Sequence, residues 1–589
     1  MQVRRADGAV QIQTDAYRLE LSDGQPLARL WWDGEELPAQ LMLLASLDSD
    51  RGLDGTLSCS TAAVEEADGG ALVTLEAVSS VWAEKRFRLR CTEDELSFTV
   101  EVAGSGRLTS IRLLGGWYSG TPRWGSGLFH SRWHARNVFV PAPNDPRRLL
   151  QPATEPASVG VVGGDMPGRG HWFSTPAPFL LAGTAAQVED PADPRGAPWQ
   201  LLELRCPIDE ATFSELRYEP FGTGFSLSLA YDGQALVDGR FRTPELVIGR
   251  ATDDPYAALR RHGESLRASG LAPVVERRQP EWWSRPIFCG WGEQCREAQL
   301  SGGLGPDHSR RENYERWLGH LAEHGIVPGT VVLDDKWQRT YGGNEVDEER
   351  WPDLRGWIAR RHSAGQRVLL WFKAWDPEGL PPEACLRDRL GRSLAADPDS
   401  QAYRQILHDA LAQMLAAGRL DADGLKVDFT AQTPAGPAVD GPRPVWGVAL
   451  LHRLLTLVYR FAKEHKPDAL VVTQTPSPLF ADVTDMIRLN DLLRLKDPRP
   501  GAPAVAQMTH RARVASAVDP GWLIDTDDWC MPSRAEWRDY LAAKPSLGVP
   551  ALYYATGIDH SDEPFEEDDY AAIRTAWASW ESGRGGAAR

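Results

Sequence analysis

Apolar and polar side chains alternate over residues 10–21 (VQIQTDAYRLEL), 86–91 (RFRLRC) and 225–229 (FSLSL), the two-residue period of half-buried strands. Gly, Pro and Asp clusters separate short runs of this kind as far as about residue 250, and no long amphipathic helix interrupts them. The pattern predicts an antiparallel β-sandwich over residues 1–250. The period changes at 254–270 (DPYAALRRHGESLRASG), where an Asp-Pro start, helical apolar spacing and a final Gly predict a helix. With the connector VVERRQPEWWSRP (274–286) it forms a link over 251–284.

From 285 to 589 strand-like and helix-like periods take turns. Strands are predicted at 287–291, 329–337, 367–375, 423–429, 469–475, 485–491, 521–529 and 549–555. Helices are predicted at 313–325, 353–365, 402–418 and 445–464, where Leu451, Leu454, Leu455, Val458 and Phe461 fall on one face. Strands that alternate with helices in this way predict a closed (β/α)8 TIM barrel. The fifth and sixth strands are too close in sequence for a full helix between them. A last helix at about 564–582 leaves no room for a large C-terminal domain.

Composition narrows the functional classes. Apolar residues make up 42% and charged residues 25% of the chain, which excludes wholesale disorder. The net charge of −18 disfavours nucleic acid and anionic membrane surfaces as partners. No run of about 18 apolar residues forms a transmembrane helix, and the start MQVRRADGAV lacks the apolar stretch of a signal peptide. Seven cysteines without a C-x-x-C pair argue against a disulfide framework or zinc ribbon, and the expectation is a reduced, cytoplasmic protein. His320 and His324 are four residues apart but outside any H-E-x-x-H pattern, so no metal and no cofactor is assigned. The acidic run 566–569 suits the start of the last helix. The 23 tryptophans suit sugar faces as well as cores and interfaces.

Barrel active sites lie at the C-terminal ends of the strands. These ends carry Trp291-Gly292-Glu293-Gln294, Asp334-Asp335-Lys336-Trp337, Lys373-Ala374-Trp375-Asp376, Lys426-Val427-Asp428, Arg488-Leu489-Asn490-Asp491, and Asp525, Asp527 and Asp528. One such end is an ordinary solvated terminus; several converging on one mouth point to a site. Two carboxylates across a small cleft suit glycoside hydrolysis, one attacking the anomeric carbon and the other protonating the leaving oxygen. Lys426 lies two residues before Asp428, on the same side of the strand, and favours its ionised form. Asp491, partly buried near that charge, would hold a proton. Trp291, Trp337 and Trp375 have two open readings, a platform for a sugar ring or packing of the barrel mouth. His130, Arg132, Trp133 and His134 read as a surface turn, with a loop capping the barrel mouth as the alternative. Cys289 reads as a buried strand residue, and Cys295 and Cys530 as near the mouth; none has the His partner of a thiol nucleophile.

Four of these motifs resemble the clan of retaining α-glycosidases that comprises glycoside hydrolase families 27, 31 and 36, with the family 36 α-galactosidase-like enzymes nearest. L-D-D-K-W (333–337) is similar to the second-strand D-D-x-W, L-K-V-D-F (425–429) to the fourth-strand K-x-D, and I-R-L-N-D (487–491) to the sixth-strand Arg-plus-Asp motif. P-G-W-L-I-D-T-D-D (520–528) with G-V-P-A-L (548–552) is similar to the segment leading into the last strand. The resemblance implies an N-terminal β-supersandwich before the barrel, Asp428 as nucleophile and Asp491 as acid/base. It implies that Asp334, Asp335 and Lys426 hold sugar hydroxyls, and Lys373, Arg488 and Asp527 at the same mouth read as further substrate-binding residues. The Arg488-to-Asp491 spacing is one residue shorter than the usual family 27 form, so Asp525 or Asp527 stands as the alternative acid/base. Lys336 replaces a small residue, Lys373 is an extra cation, and the usual C-terminal β domain is missing. The implied activity is a retaining exo-α-glycosidase, α-galactosidase-like, acting on a small carbohydrate by double displacement. A transglycosylase, a glycosidase of another or anionic sugar, a lyase using Lys373 or Lys426 and a non-catalytic carbohydrate-binding barrel are the alternatives. Relatives often form homo-oligomers.

Overall fold

The computed structural model describes all residues except 7, 35, 37, 68, 120–128, 131–135, 144, 146–147, 164–173, 223, 493–500 and 588–589. Arg132, Trp133 and His134 lie outside the described residues, as does the side chain of His130.

Strands from Gln2–Ala6 to Glu245–Thr252 form one hydrogen-bonded antiparallel sandwich region. Its strands alternate as the sequence does: along Glu84–Cys91, Lys85, Phe87, Leu89 and Cys91 point inward while the residues between them stay partly or fully exposed. Two strands are far longer than expected. Glu95–Leu113 and Gly224–Arg242 pair along most of their length, with a register shift between Leu108 and Ser110. Two further details differ from the sequence reading. The run 10–21 is not one strand but a hairpin, Ala9–Gln13 and Tyr17–Ser22, because the Thr14 hydroxyl accepts from the N–H groups of Ala16 (3.1 Å) and Tyr17 (3.0 Å) and turns the chain. Trp117–Tyr118 pairs in parallel with Gly55–Cys59.

The link begins with helix α1 (Pro255–Ala268), capped by the Asp254 carboxylate, which accepts from Tyr256 and Ala257 N–H. The barrel follows: β1 (Ile287–Cys289), β2 (Thr330–Leu333), β3 (Arg367–Lys373), β4 (Gly424–Asp428), β5 (Leu470–Thr473), β6 (Met486–Arg488), β7 (Leu523–Asp525) and β8 (Ala551–Leu552). All the pairings are parallel, in the order β7-β6-β5-β4-β3-β2-β1-β8, and one parallel bridge between Asp525 and Val549 completes the ring. The strands are nearly all buried and rich in Val, Leu and Ile, as a sheet covered on both faces requires. Helices α2 (Trp291–Ser301), α3 (Arg311–Glu323), α4 (Leu354–Ser363), α5 (Gln401–Leu415), α6 (Gly447–His465), α7 (Ala504–Val518), α8 (Arg534–Leu547) and α9 (Glu567–Ala587) accompany them. Between β5 and β6 lies only a single turn, Pro478–Phe480, in agreement with the short spacing there. No helix among the described residues is long and apolar enough to cross a membrane.

The β region and the barrel share one apolar core. Gly447, at the start of α6, has φ of 56° and sits so close to the Phe213 carbonyl that a Cβ would lie 2.0 Å from its oxygen. Only glycine fits there, and the next two N–H groups, of Val448 and Ala449, donate to Phe213 and Ala211 at 2.9 Å. Immediately before Gly447, the Trp446 indole donates to Asp232 (3.2 Å).

Candidate active site

The registers of the barrel strands decide which side chains meet at its mouth. Trp371 is level with Lys426 and Lys373 with Asp428 across β3 and β4, and Arg488 is level with Asp525 across β6 and β7. Residues level in neighbouring strands point to the same face, so these side chains turn into the barrel. A cavity of about 220 Å³ opens there, lined by Trp291, Asp334, Asp335, Trp371, Lys426, Asp428, Phe429, Gln474, Asn490, Asp491 and Trp529.

Arg488 organises the floor. Its side chain is 2% exposed. One nitrogen, Nη2, donates to Asp428 Oδ1 (2.8 Å) and Gln474 Oε1 (2.8 Å); the other, Nη1, donates to Asp491 Oδ1 (3.1 Å) and Asp527 Oδ2 (2.6 Å). The carboxylates of Asp428 and Asp491 are therefore bridged by one planar guanidinium. Asp428 has two more donors, its neighbour Phe429 N–H on Oδ1 (2.9 Å) and the Trp371 indole on Oδ2 (3.1 Å). The Phe429 contact is made by turning the chain through the left-handed region (φ 60°, ψ 27°) immediately after β4. For a bulky residue that conformation costs about 1–3 kcal/mol.

The same environment separates the two acids. Burial pushes the Asp428 carboxyl up, but Arg488 and then Lys426, with the two N–H donors, outweigh it and hold it below the usual carboxylate range. Burial pushes Asp491 up to about 7; Arg488 opposes this, and the negative charges of Asp527 and Asp428 reinforce it. Asp335 is also raised by burial to about 7, against the hydrogen bond from the Tyr341 hydroxyl (2.8 Å). Lys426 loses proton affinity to burial and regains more from Asp334, whose Oδ2 lies 2.6 Å from Nζ and also accepts the Cys289 thiol at 3.0 Å.

The sequence-predicted residues divide into three groups. Asp334, Asp335, Lys426, Asp428, Asp491 and Trp291 line the cavity, and Trp291 meets Trp529 edge to face at 5.5 Å. Arg488 and Asp527 stand behind it; Asp527 is fully buried and is held by Arg488 and by Trp529 N–H. Lys373, Trp337 and Trp375 are not among the lining residues. Lys373 pairs with Asp376 at 2.8 Å with its ammonium over the Tyr341 ring. Trp337 is fully buried and its indole donates to the Trp371 carbonyl (2.8 Å), while Trp375 is 2% exposed at positive φ. Other polar strand ends serve the scaffold. Glu293 accepts from the Ala555 N–H (2.6 Å) and the Thr556 hydroxyl. Asp528 accepts from Lys544 (2.7 Å), Trp537 (2.9 Å) and Tyr553 N–H (2.8 Å).

Trp371, Phe429, Gln474 and Asn490 were not singled out from sequence as site residues. Trp371 was within reach: it precedes Lys373 by two in a strand, as Lys426 precedes Asp428. A residue of the β region also reaches this floor: buried Thr175 hydrogen-bonds the Thr430 hydroxyl, and its N–H donates to the Gln474 carbonyl at 2.9 Å. No group of three or more His, Cys, Asp or Glu side chains among the described residues is placed to hold a metal ion. His320 and His324 pack around Tyr570 instead, the first hydrogen-bonded to its hydroxyl (2.7 Å) and the second stacked on its ring.

No protein-family model matches the chain, and no curated protein does. Solved structures do. The α-N-acetylgalactosaminidase NagBb from Bifidobacterium bifidum, in complex with GalNAc, superposes with a TM-score of 0.64 at 12% identity, over 97% of this chain and 93% of that one. A GH31 family sulfoquinovosidase from E. rectale, in complex with an aza-sugar inhibitor, gives 0.58 at 11% identity, over 99% and 82%. With so few residues in common the likeness is one of fold: the chain shares with these two enzymes an N-terminal β region followed by a parallel barrel.

Proposed function

We propose that the protein is a retaining exo-α-glycosidase in which Asp428 is the nucleophile and Asp491 the acid/base, acting on an α-galactoside or a related α-hexoside. One observation carries the reading: a single guanidinium binds both carboxylates, yet their proton affinities are displaced in opposite directions. Double displacement needs that combination, an ionised attacker and a protonated donor across one cleft, with the carboxyl groups about 5–5.5 Å apart. The size of the cavity suits one sugar ring, which supports an exo mode. Asp525 and Asp527 are less suited to the acid/base role, because neither is among the residues lining the cavity.

In the first step an Asp428 oxygen attacks C1 from the β face, the bond from C1 to the leaving oxygen breaks, and Asp491 gives that oxygen its proton. In the second, the Asp491 carboxylate takes a proton from water, the water oxygen bonds to C1, and the ester bond breaks to return the Asp428 carboxylate. Lys426, Asp334 and Asp335 face the ring and hold its hydroxyls. The ring stacks on Trp291 or Trp529.

A panel of aryl α-glycosides, with proton NMR of the first-formed anomer, tests this. The α-hemiacetal appearing first supports the reading. The β-anomer first means inversion, and sugar binding without turnover on any member means a binding barrel.

A further inference from the structure

The two oxygens of Asp428 are not equivalent. Oδ1 is held by a cation and by a backbone amide, Arg488 Nη2 at 2.8 Å and Phe429 N–H at 2.9 Å. Among the described residues Oδ2 has one donor, the neutral Trp371 indole N–H at 3.1 Å. When a carboxylate becomes a glycosyl ester, the attacking oxygen becomes the bridging ester oxygen, a poor acceptor, and the other becomes a carbonyl, which still accepts hydrogen bonds well. The oxygen with two strong donors is thus fitted to become the carbonyl, and Oδ2 is the one that bonds to C1.

On the double-displacement reading above, we infer that Trp371 is a catalytic residue of the second step: its N–H stabilises Oδ2 as the C1–Oδ2 bond breaks and negative charge returns to it. The hydrogen bond is complete in the free enzyme, weak in the ester and, because the C1–O bond is long in the oxocarbenium-ion-like transition states, largely formed in both of them. It therefore favours the free carboxylate at the expense of the ester, holding back the first step slightly and speeding the second. The indole is placed for this. It is 1% exposed, it packs edge to face on Tyr341 (5.7 Å) and Phe429 (6.0 Å), and its backbone carbonyl is tied to the Trp337 indole. It has little freedom to follow the oxygen as the ester forms.

The test is Trp371→Phe, which keeps an aromatic ring between Tyr341 and Phe429 and removes the N–H together with part of the indole's volume. With an aryl α-glycoside bearing a good leaving group, kcat falls by about 10–100-fold, as expected for a hydrogen bond to a charged group. KM falls with it and kcat/KM stays within about twofold. A stoichiometric burst of phenol appears, and the quenched protein gains the mass of one sugar residue. Trp371→His, whose ring again offers an N–H, recovers part of kcat, and comparing it with Trp371→Met keeps the test independent of how well Phe is accommodated. If kcat and kcat/KM fall together without a burst, or if kcat is unchanged, the assignment is overturned. Labelling the wild-type protein with a 5-fluoro-α-glycosyl fluoride separates this outcome from failure of the underlying reading. An adduct on Asp428 without accumulation in the Phe variant refutes only the role of Trp371, whereas an adduct elsewhere, or none, refutes the nucleophile.

Discussion

Lys426 and Asp334 form an ion pair of 2.6 Å inside the barrel, each side chain only 3% exposed. Their charges are worth keeping together, because a buried charge without its partner costs far more than the pair gains. Lys426→Met is expected to lower stability by about 3–5 kcal/mol through the carboxylate it strands, and to abolish turnover through the loss of a positive charge beside Asp428. Lys426→Met combined with Asp334→Leu should recover most of the stability and none of the activity. Urea unfolding and an aryl-glycoside assay on the three proteins check both halves.

The opposite displacement of Asp428 and Asp491 fixes the shape of the pH–rate curve. Asp428 ionises below the usual carboxylate range and Asp491 loses its proton at about 7, so kcat/KM should be flat across the mildly acidic range and fall above about pH 7. Asp491→Asn should remove the alkaline limb. It should lower activity more for substrates with poor leaving groups than for nitrophenyl glycosides, which need no proton.

Asp428→Gly opens space where the proposed nucleophile stood. With an activated α-glycoside and sodium azide it is expected to form the β-glycosyl azide, the azide entering from the face that the carboxylate used. Product NMR reads the anomer. An α-azide from this variant, with the β-azide arising from Asp491→Ala, would interchange the two roles.

The eight barrel strands were legible because a parallel strand covered on both faces is a short apolar run bounded by polar residues, and each run from 287 to 555 has that form. The observed strands are shorter than the runs: 329–337 contracts to Thr330–Leu333, since Asp334 and Asp335 already belong to the loop that carries them into the cavity. The aromatic wall was harder to read. Trp337 and Trp375 stand beside charged motifs, yet both fold back into the packing beyond the strand ends, whereas Trp371 sits inside an apolar run, where its indole N–H looks like core. Periodicity places a side chain on a face; the turns after the strand decide whether its neighbours reach the cavity. For the same reason the hairpin at Thr14 was hidden, because a hydroxyl that turns the chain leaves alternation intact on both sides.

Asp525 gives a stability prediction of unusual sign. Burial, with the nearby Asp527 charge, raises its carboxyl from the ordinary carboxylate value to about 7. Between those two values the folded protein holds a proton that the unfolded chain has released, so this residue's contribution falls as pH rises and its full penalty is present above about pH 7. Asp525→Asn keeps the acceptor for the Asp527 N–H and cannot ionise. Its melting temperature should exceed that of the wild type at pH 8, with the advantage shrinking toward pH 5. Differential scanning calorimetry at several pH values checks this.

Thr175 touches the loop after β4 through Thr430 and the residue after β5 through Gln474, so on the proposed reading the β region is a shareholder in catalysis rather than cargo. Recombination that grafted this barrel onto a foreign N-terminal partner would transplant every acid and base and still leave the machinery missing a brace. With the shared core and the Phe213, Ala211 and Asp232 bonds, that threonine makes the two halves a unit whose members must change in step.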